Sequence, residues 1–214
     1  HTRYIGDWSS DVCSSDLATK DNIKKEIIKL VSFSHKYENS EIWLSFSGHG
    51  SRITSLYEYE NRSEVICPVD YNYNGIISDN WLKMNFVNLL AKKTNCFVLM
   101  DCCNSGSNLN LPYKYTVDDM KSVNDNSFYH YNMDTLCNII KISGCEDDQT
   151  SADYYDRKEN EFQGALTNSF LNMNENTNNT ILDLYNNILS NLKLRKFTQR
   201  PVLSYTNDNL INKK

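Results

Sequence analysis

The chain has 214 residues, a net charge of −5 and an isoelectric point of about 5.4. Its length predicts one domain with a full hydrophobic core, and its acidic balance, without a Lys/Arg cluster, argues against a nucleic-acid-binding surface. A mean hydropathy of −0.59 and the lack of any apolar run near the roughly 20 residues that cross a bilayer argue against a membrane protein.

The seven cysteines are scattered, without a C-x-x-C pair or a nearby group of histidines, which argues against a structural zinc site. A disulfide between the adjacent Cys102 and Cys103 would be strained. The start of the chain also has no apolar stretch of the signal-peptide type. We therefore expect reduced cysteines in a cytoplasmic protein.

The first seventeen residues, HTRYIGDWSSDVCSSDL, show no periodicity. The part DWSSDVCSSDL is what a common sequencing-library adapter encodes, and His1 to Gly6 fit the upstream part of the same adapter in the same frame. We expect residues 1–17 to be a translated artefact and residues 18–214 to be a domain that is incomplete at its N-terminus. A disordered Ser/Asp-rich tail is the alternative.

The first predicted element is an amphipathic helix, because apolar residues recur at helical spacing after Asp21, which is a suitable N-cap. A strand follows in EIWLSF. The next segment, SGHGS, has two glycines that are expected to break regular structure, and a polar loop is expected over 51–63. EVICPVDY then predicts a short strand that ends at Pro68.

Apolar residues at helical spacing over 82–90 predict a second helix, and the run CFVLM predicts a buried strand that ends at Asp101. A long polar loop is expected over 108–135, followed by a strand in TLCNIIKISG. Two further helices are predicted at roughly 163–173 and 180–193, and RPVLSYT is predicted to close the sheet. This alternation favours an α/β fold with parallel strands.

Two of the predicted strands are followed by chemically useful segments, SGHGS with His49 and DCCNSGS with two thiols. Parallel strands point their carboxyl ends the same way, so the two segments should emerge side by side. An imidazole can keep a thiol ionised and can protonate a leaving amine. Alone, a cysteine is more often a small buried hydrophobe and a single histidine is more often structural, but the pair favours a cysteine peptidase. His35, near a helix end, and His130, in a polar loop, are more easily explained as solvated.

With these motifs, the chain resembles the metacaspases, which are caspase-like cysteine peptidases, and it is closest in type to their type I members. Five segments resemble metacaspase segments in the same order and span nearly all of 18–214: SFSGHGS, EVICPVDYNYNGIISDN, DCCNSGS, SGCEDDQTSADY and QRPVLSYT. The 54 residues between His49 and Cys103 also suit caspases. The resemblance implies a caspase-like three-layer αβα fold with a mostly parallel sheet, whose first strand is missing here.

The resemblance also implies roles for the residues around the two motifs. The family uses the second of two adjacent cysteines, which makes Cys103 the nucleophile, leaves Cys102 structural and makes His49 the general acid/base. The backbone N–H groups of Gly50 and Cys103 would bind the oxyanion, and the chemistry would require no cofactor. Asn104 stands where the family usually has histidine.

Metacaspases cleave after Arg or Lys, and the matching positions Ser47 and Asp101 would line the pocket for that side chain. The implied partners are therefore protein or peptide substrates with Arg or Lys at the cleavage site. From the residues alone, Asp101 is equally well explained as a turn or helix cap. The family pocket also uses a Cys and an Asp that would precede residue 18.

Calcium activates many members of the family, and its acidic ligands match Glu64, Asp79, Asn80 and Asn110 here. Two of these four residues are amides, so we expect weak calcium binding or none.

A different class of function stays open, namely a catalytically silent caspase-like interaction module or an inactive gene fragment. Asn104 and the missing strand favour it, whereas the presence of both His49 and Cys103 opposes it. We expect a monomer without nucleic-acid or membrane partners. A flavodoxin-like phosphate binder would need a Gly-rich loop that the chain does not have.

Overall fold

In the computed structural model, the described residues are 17–54, 62–115, 123–124, 137–146, 153–156, 161–172 and 180–210. The expected artefact therefore lies, apart from Leu17, outside the described residues and stays a prediction. The elements in chain order are α1 (Lys20–Lys36), β1 (Glu41–Ser47), β2 (His49–Thr54), β3 (Arg62–Cys67), α2 (Tyr71–Asn74), β4 (Ile77–Ser78), α3 (Asp79–Asn85), β5 (Asn95–Asp101), β6 (Tyr113–Tyr115), β7 (Val123–Asn124), β8 (Asn138–Ser143), β9 (Asp153–Asp156), β10 (Glu161–Gly164), α4 (Ala165–Leu171), α5 (Ile181–Leu194) and β11 (Val202–Tyr205).

The main sheet has the strand order β1-β5-β8-β11-β6-β7. β1 pairs with β5 and β5 with β8 in parallel, whereas the pairs β8–β11, β11–β6 and β6–β7 are antiparallel. The expectation of a mostly parallel sheet is therefore wrong, because the sheet is mixed. The chain passes through two helices, α4 and α5, before it enters β11, and β11 runs back along β8 in the interior of the sheet instead of closing its edge.

Helices cover both faces of this sheet, so the fold has three layers. Val98 of β5 packs in a core with residues of α1 and α3, and the next residue, Leu99, packs in a second core with residues of α4 and α5. Successive side chains of a strand point to opposite faces, which is why one buried apolar run serves both cores. The strands EIWLSF and CFVLM are confirmed, and Asp101 is the last residue of β5.

The expected break in regular structure is found at Gly48, between β1 and β2. The loop expected over 51–63 is wrong as far as residue 54. β2 begins at His49 and pairs antiparallel with β3 from His49 opposite Cys67 to Thr54 opposite Arg62, and β4 adds a third strand to this small sheet. β3 supplies the partner hydrogen bonds and a buried apolar pair, Val65 and Ile66. The polar β2 segment becomes a strand through this pairing.

The helix ends differ from the expectation in detail. Thr19 caps α1, since its hydroxyl accepts from the Asn22 N–H, and Asp21 lies in the first turn, where its negative charge still suits the helix dipole. The helix predicted over 82–90 is α3, which ends at Asn85 and is followed by a short 3₁₀ turn at Val87–Leu89. The loop expected over 108–135 contains β6 and β7 within its described part.

Within the described residues, no helix combines the length and apolarity needed to cross a membrane. In the same residues, β1 is the end of the main sheet and has a partner strand on one side only. The missing first strand stays a prediction.

Candidate active site

The paired ends of β1 and β5 place the two motifs beside each other. Ser47 is the register partner of Asp101, and the Gly48 N–H extends the pairing by donating to the Asp101 carbonyl at 3.1 Å. His49 lies two residues after Ser47, and Cys103 lies two residues after Asp101. The structure thus brings the imidazole and the thiol to one edge of the sheet, at the carboxyl ends of parallel strands.

Gly50 fits against Cys103 because it has no side chain. A Cβ atom at Gly50 would lie 2.2 Å from the Cys103 carbonyl oxygen and 3.2 Å from the Cys102 sulfur. The start of β2 therefore packs directly on the backbone of the thiol segment. Gly50 and Cys103, the two residues expected to supply oxyanion donors, are neighbours through their main chains.

Burial separates the two adjacent thiols. Cys102 is only 1% exposed, and burial, with smaller contributions from Cys145 and Asp101, raises its pKa to about 12. Cys102 therefore stays a protonated thiol at neutral pH. Cys103 is partly exposed and His49 is exposed, so a substrate can reach both. The described cysteines are all free of disulfides.

Asn104 follows Cys103 in a left-handed conformation, with φ of 53°. Asn and His are among the residues that adopt this conformation more readily than other non-glycine residues. Asn104 is therefore a residue type that suits the sharp turn after the thiol. Of the other histidines, His35 lies in the last turn of α1 with its ring nitrogen Nε2 2.8 Å from the Leu89 carbonyl oxygen, and His130 lies outside the described residues.

Ser47 is exposed, but Asp101 is only 3% exposed. The Asp101 carboxylate accepts from the Thr167 N–H at 2.7 Å and from the Thr167 hydroxyl at 2.8 Å. Thr167 is the third residue of α4, so its N–H has no partner within the helix. The carboxylate of Asp101, at the end of β5, supplies that partner. A Cβ at Gly164 would lie 2.0 Å from the same carboxylate. The helix-cap interpretation of Asp101 therefore describes this structure.

The four positions expected to bind calcium lie in neighbouring elements. Val65 is opposite Ser78, so Glu64 and Asp79 come next to each other along the same ladder. Asp79 is fully buried, and its carboxylate accepts from the Asn80 N–H at 2.7 Å. The fourth position, Asn110, is joined to α3 through its main-chain carbonyl.

Two cationic side chains occupy this same region. Arg52 is the register partner of Glu64, and its Nε lies 3.3 Å from the Glu64 carboxylate. Lys83, one helical turn after Asp79, is 7% exposed and donates to the Asn110 carbonyl at 3.0 Å, and burial lowers the pKa of Lys83 to about 8. No group of three or more His, Cys, Asp or Glu residues suited to a metal occurs in the described residues. Two cations beside the two carboxylates oppose calcium binding, and the expectation of weak binding or none stays a prediction.

Sequence reasoning missed three residues next to the site. Cys67 is the register partner of His49, so its partly exposed thiol lies on the same face, and burial raises the pKa of Cys67. Lys141 is fully buried in β8, and Cys145 follows the same strand. A signal for Lys141 was present, because a lysine inside the apolar segment NIIKIS is rarely buried without polar partners.

Comparisons with known proteins agree with this arrangement. The family model described as metacaspase, peptidase C14 domain, matches residues 6–112, which is half of the chain, and its first residues fall in the expected artefact. Metacaspase-1 of Debaryomyces hansenii is 30% identical, over 92% of this chain and 54% of its own length. Inactive metacaspase-4 of Trypanosoma brucei brucei is 31% identical, over 78% of this chain and 50% of its own. The chain spans about half the length of these curated relatives.

The crystal structure of a Geobacter sulfurreducens protein superposes with a TM-score of 0.63 at 21% identity, over 94% of this chain and 78% of that one. At this identity the likeness concerns the fold alone.

Proposed function

The chain belongs to the metacaspase family, and from this premise we propose that it is a cysteine endopeptidase that hydrolyses peptide bonds after Arg or Lys. The observation that carries the proposal is the pairing of β1 with β5, which sets an exposed His49 and a partly exposed Cys103 at one sheet edge. We further propose that it acts as a monomer on protein or peptide substrates in the cytoplasm.

The proposed reaction uses His49 as base and then as acid. His49 accepts the thiol proton, and the Cys103 thiolate attacks the scissile carbonyl carbon, forming a C–S bond and an oxyanion. The N–H groups of Gly50 and Cys103 stabilise that oxyanion. His49 then protonates the leaving amine as the C–N bond breaks, and water, deprotonated by His49, hydrolyses the thioester and restores the thiol. None of these steps requires a metal ion.

The preference for Arg or Lys rests on Asp101 and Ser47. A carboxylate offers about four acceptor sites, and Thr167 uses two of them in this structure. A substrate cation would bind this carboxylate through a charge-assisted hydrogen bond. Because Gly164 covers the carboxylate, binding of that cation requires a small movement at the junction of β10 and α4.

Labelling with an acyloxymethyl ketone that carries Arg tests the proposed nucleophile. The wild-type chain and a Cys102→Ala variant should both be labelled, because Cys102 is buried and protonated. A Cys103→Ala variant should not react. Equal labelling of the Cys103→Ala variant would show that another thiol, such as Cys67 beside His49, is the nucleophile.

A silent caspase-like module is the second candidate, and one observation favours it: Asp101 is buried and already engaged by Thr167. One relative also carries the name Inactive metacaspase-4. A folded wild-type chain that neither reacts with the Arg probe nor cleaves any Arg or Lys peptide would support this candidate.

A further inference from the structure

Lys141 lies in the centre of the main sheet and is fully buried. Its register partners are Val98 of β5 and Ser204 of β11, so strands flank it on both sides. A buried ammonium group is unfavourable unless its three donors are hydrogen-bonded. Lysine at such a position therefore calls for an explanation in what the ammonium binds.

The Lys141 ammonium binds three main-chain carbonyls of one loop. It donates to Ser105 and Gly106 at 2.9 Å each, and to Asn108. The three acceptors belong to the segment that follows Cys103, so all three ammonium protons serve the thiol loop. This segment is itself buried at Ser105 and Asn108.

Cys145 packs against the start of the same loop. Its thiol donates to the Cys102 carbonyl oxygen at 3.6 Å. Burial raises the pKa of Cys145, while the backbone N–H groups of Ser105 and Asn104 act in the opposite direction. The loop has left-handed residues at Asn104 and Leu109, a conformation that needs support from its surroundings.

We propose that Lys141 is a positioning residue, whose ammonium holds the loop after Cys103 in one conformation and thereby fixes the nucleophile beside His49. The loop-holding role stands on the contacts alone, and the consequence for catalysis rests on the proposed function. Lys141 does not touch the substrate in this scheme.

Hydrogen exchange followed by mass spectrometry tests the loop-holding role without any substrate. In a folded Lys141→Met variant we expect the amides of residues 104–109 to exchange at least tenfold faster than in the wild type, while those of β5 are unchanged. Lys141→Gln keeps neutral donors and should give an intermediate rate. Lys83→Met is the matched control, since it removes another buried ammonium, one that reaches only as far as the Asn110 carbonyl, and should leave residues 104–109 protected.

Peptidase kinetics test the consequence. With an Arg peptide, Lys141→Met should lower kcat at least tenfold and leave KM within about twofold, whereas a merely destabilising change would leave both constants of the folded fraction alone. Wild-type loop exchange in a folded Lys141→Met or Lys141→Gln variant would overturn the proposal. If both variants fail to fold, exchange of these amides in the wild-type chain as fast as in an unstructured peptide would overturn it. If no chain cleaves peptides, the proposed function fails and the exchange result still decides the role of Lys141.

Discussion

The two glycines that flank His49 differ in what a side chain would meet, and this difference gives a sharp prediction. A methyl group at Gly50 would lie 2.2 Å from the Cys103 carbonyl oxygen, whereas one at Gly48 would lie 3.1 Å from the end of the Phe46 ring. Neither glycine has a left-handed φ. The variants Gly50→Ala and Gly48→Ala therefore isolate the steric effect.

Real Cβ atoms do not approach other atoms closer than 3.0 Å, so Gly50→Ala must open the contact with Cys103 by at least 0.8 Å. The obstructing atom is main chain, and β2 is held by its ladder with β3, so the shift falls on the nucleophile or on His49. A displacement of about 1 Å in a catalytic geometry costs about 100-fold in rate. Overpacking of this kind costs about 1–3 kcal/mol of stability.

The assay is the rate of Cys103 labelling by the Arg probe, measured beside urea unfolding of both variants. Gly50→Ala should lose about 100-fold in labelling rate and about 1–3 kcal/mol in the free energy of unfolding. Gly48→Ala should stay within about threefold and about 0.5 kcal/mol, because the Phe46 ring can turn away. A Gly50→Ala chain as stable and as reactive as Gly48→Ala would refute the reasoning.

Three further predictions concern the surroundings of the site. Thr167→Val removes one hydrogen bond to the Asp101 carboxylate and should cost about 1–2 kcal/mol of unfolding free energy while lowering KM for Arg peptides; a raised KM would contradict this competition. Arg52→Met leaves the carboxylate of Glu64 buried without its guanidinium partner and should lower the free energy of unfolding by about 3 kcal/mol. Millimolar calcium should restore part of this loss. Equal stabilisation of the wild type by calcium would show that the Arg52 guanidinium does not exclude the metal. Burial lowers the pKa of Lys83 from 10.5 to about 8, so its charged form penalises folding below pH 8 and this penalty disappears as the pH rises to 10.5. The free energy of unfolding of the wild type, relative to that of Lys83→Met, should rise by up to about 3 kcal/mol over that range. If urea unfolding gives the two chains the same dependence on pH, this prediction is wrong.

The strands that carry the site were predictable because their signals are local. EIWLSF and CFVLM are compact runs that are followed by the polar residues Ser47 and Asp101, and the rule for parallel strand ends then placed His49 near Cys103. β2 had no such signal, because His49 to Thr54 is mostly polar and becomes a strand only through β3. Pairing between distant segments is not visible in one sequence.

The partner of a buried charge was also out of reach of sequence reasoning. The position of Asp101 at a strand end was predictable, but the two interpretations of its carboxylate, cap and pocket, differ only in which distant residue meets it. Thr167 comes 66 residues later. The same holds for Arg52 and Glu64, since the segment with Arg52 was expected to be a loop and its pairing with β3 was not foreseen.

The loop after the thiol argues for the peptidase over the silent module. Asn104, Leu109 and Asn110 all adopt left-handed conformations, each at a cost of about 1 kcal/mol or more. The buried ammonium of Lys141 binds the carbonyls of Ser105 and Gly106 in this segment, and that of Lys83 binds the Asn110 carbonyl just beyond residues 104–109, although burial of a lysine opposes its charge. A module that needs only a stable surface gains nothing from such a segment, because a relaxed turn would connect β5 to the rest of the chain at lower cost. Strain that is supported by surrounding contacts is typical of sites where one backbone conformation must be maintained for chemistry, and here that backbone carries the proposed nucleophile.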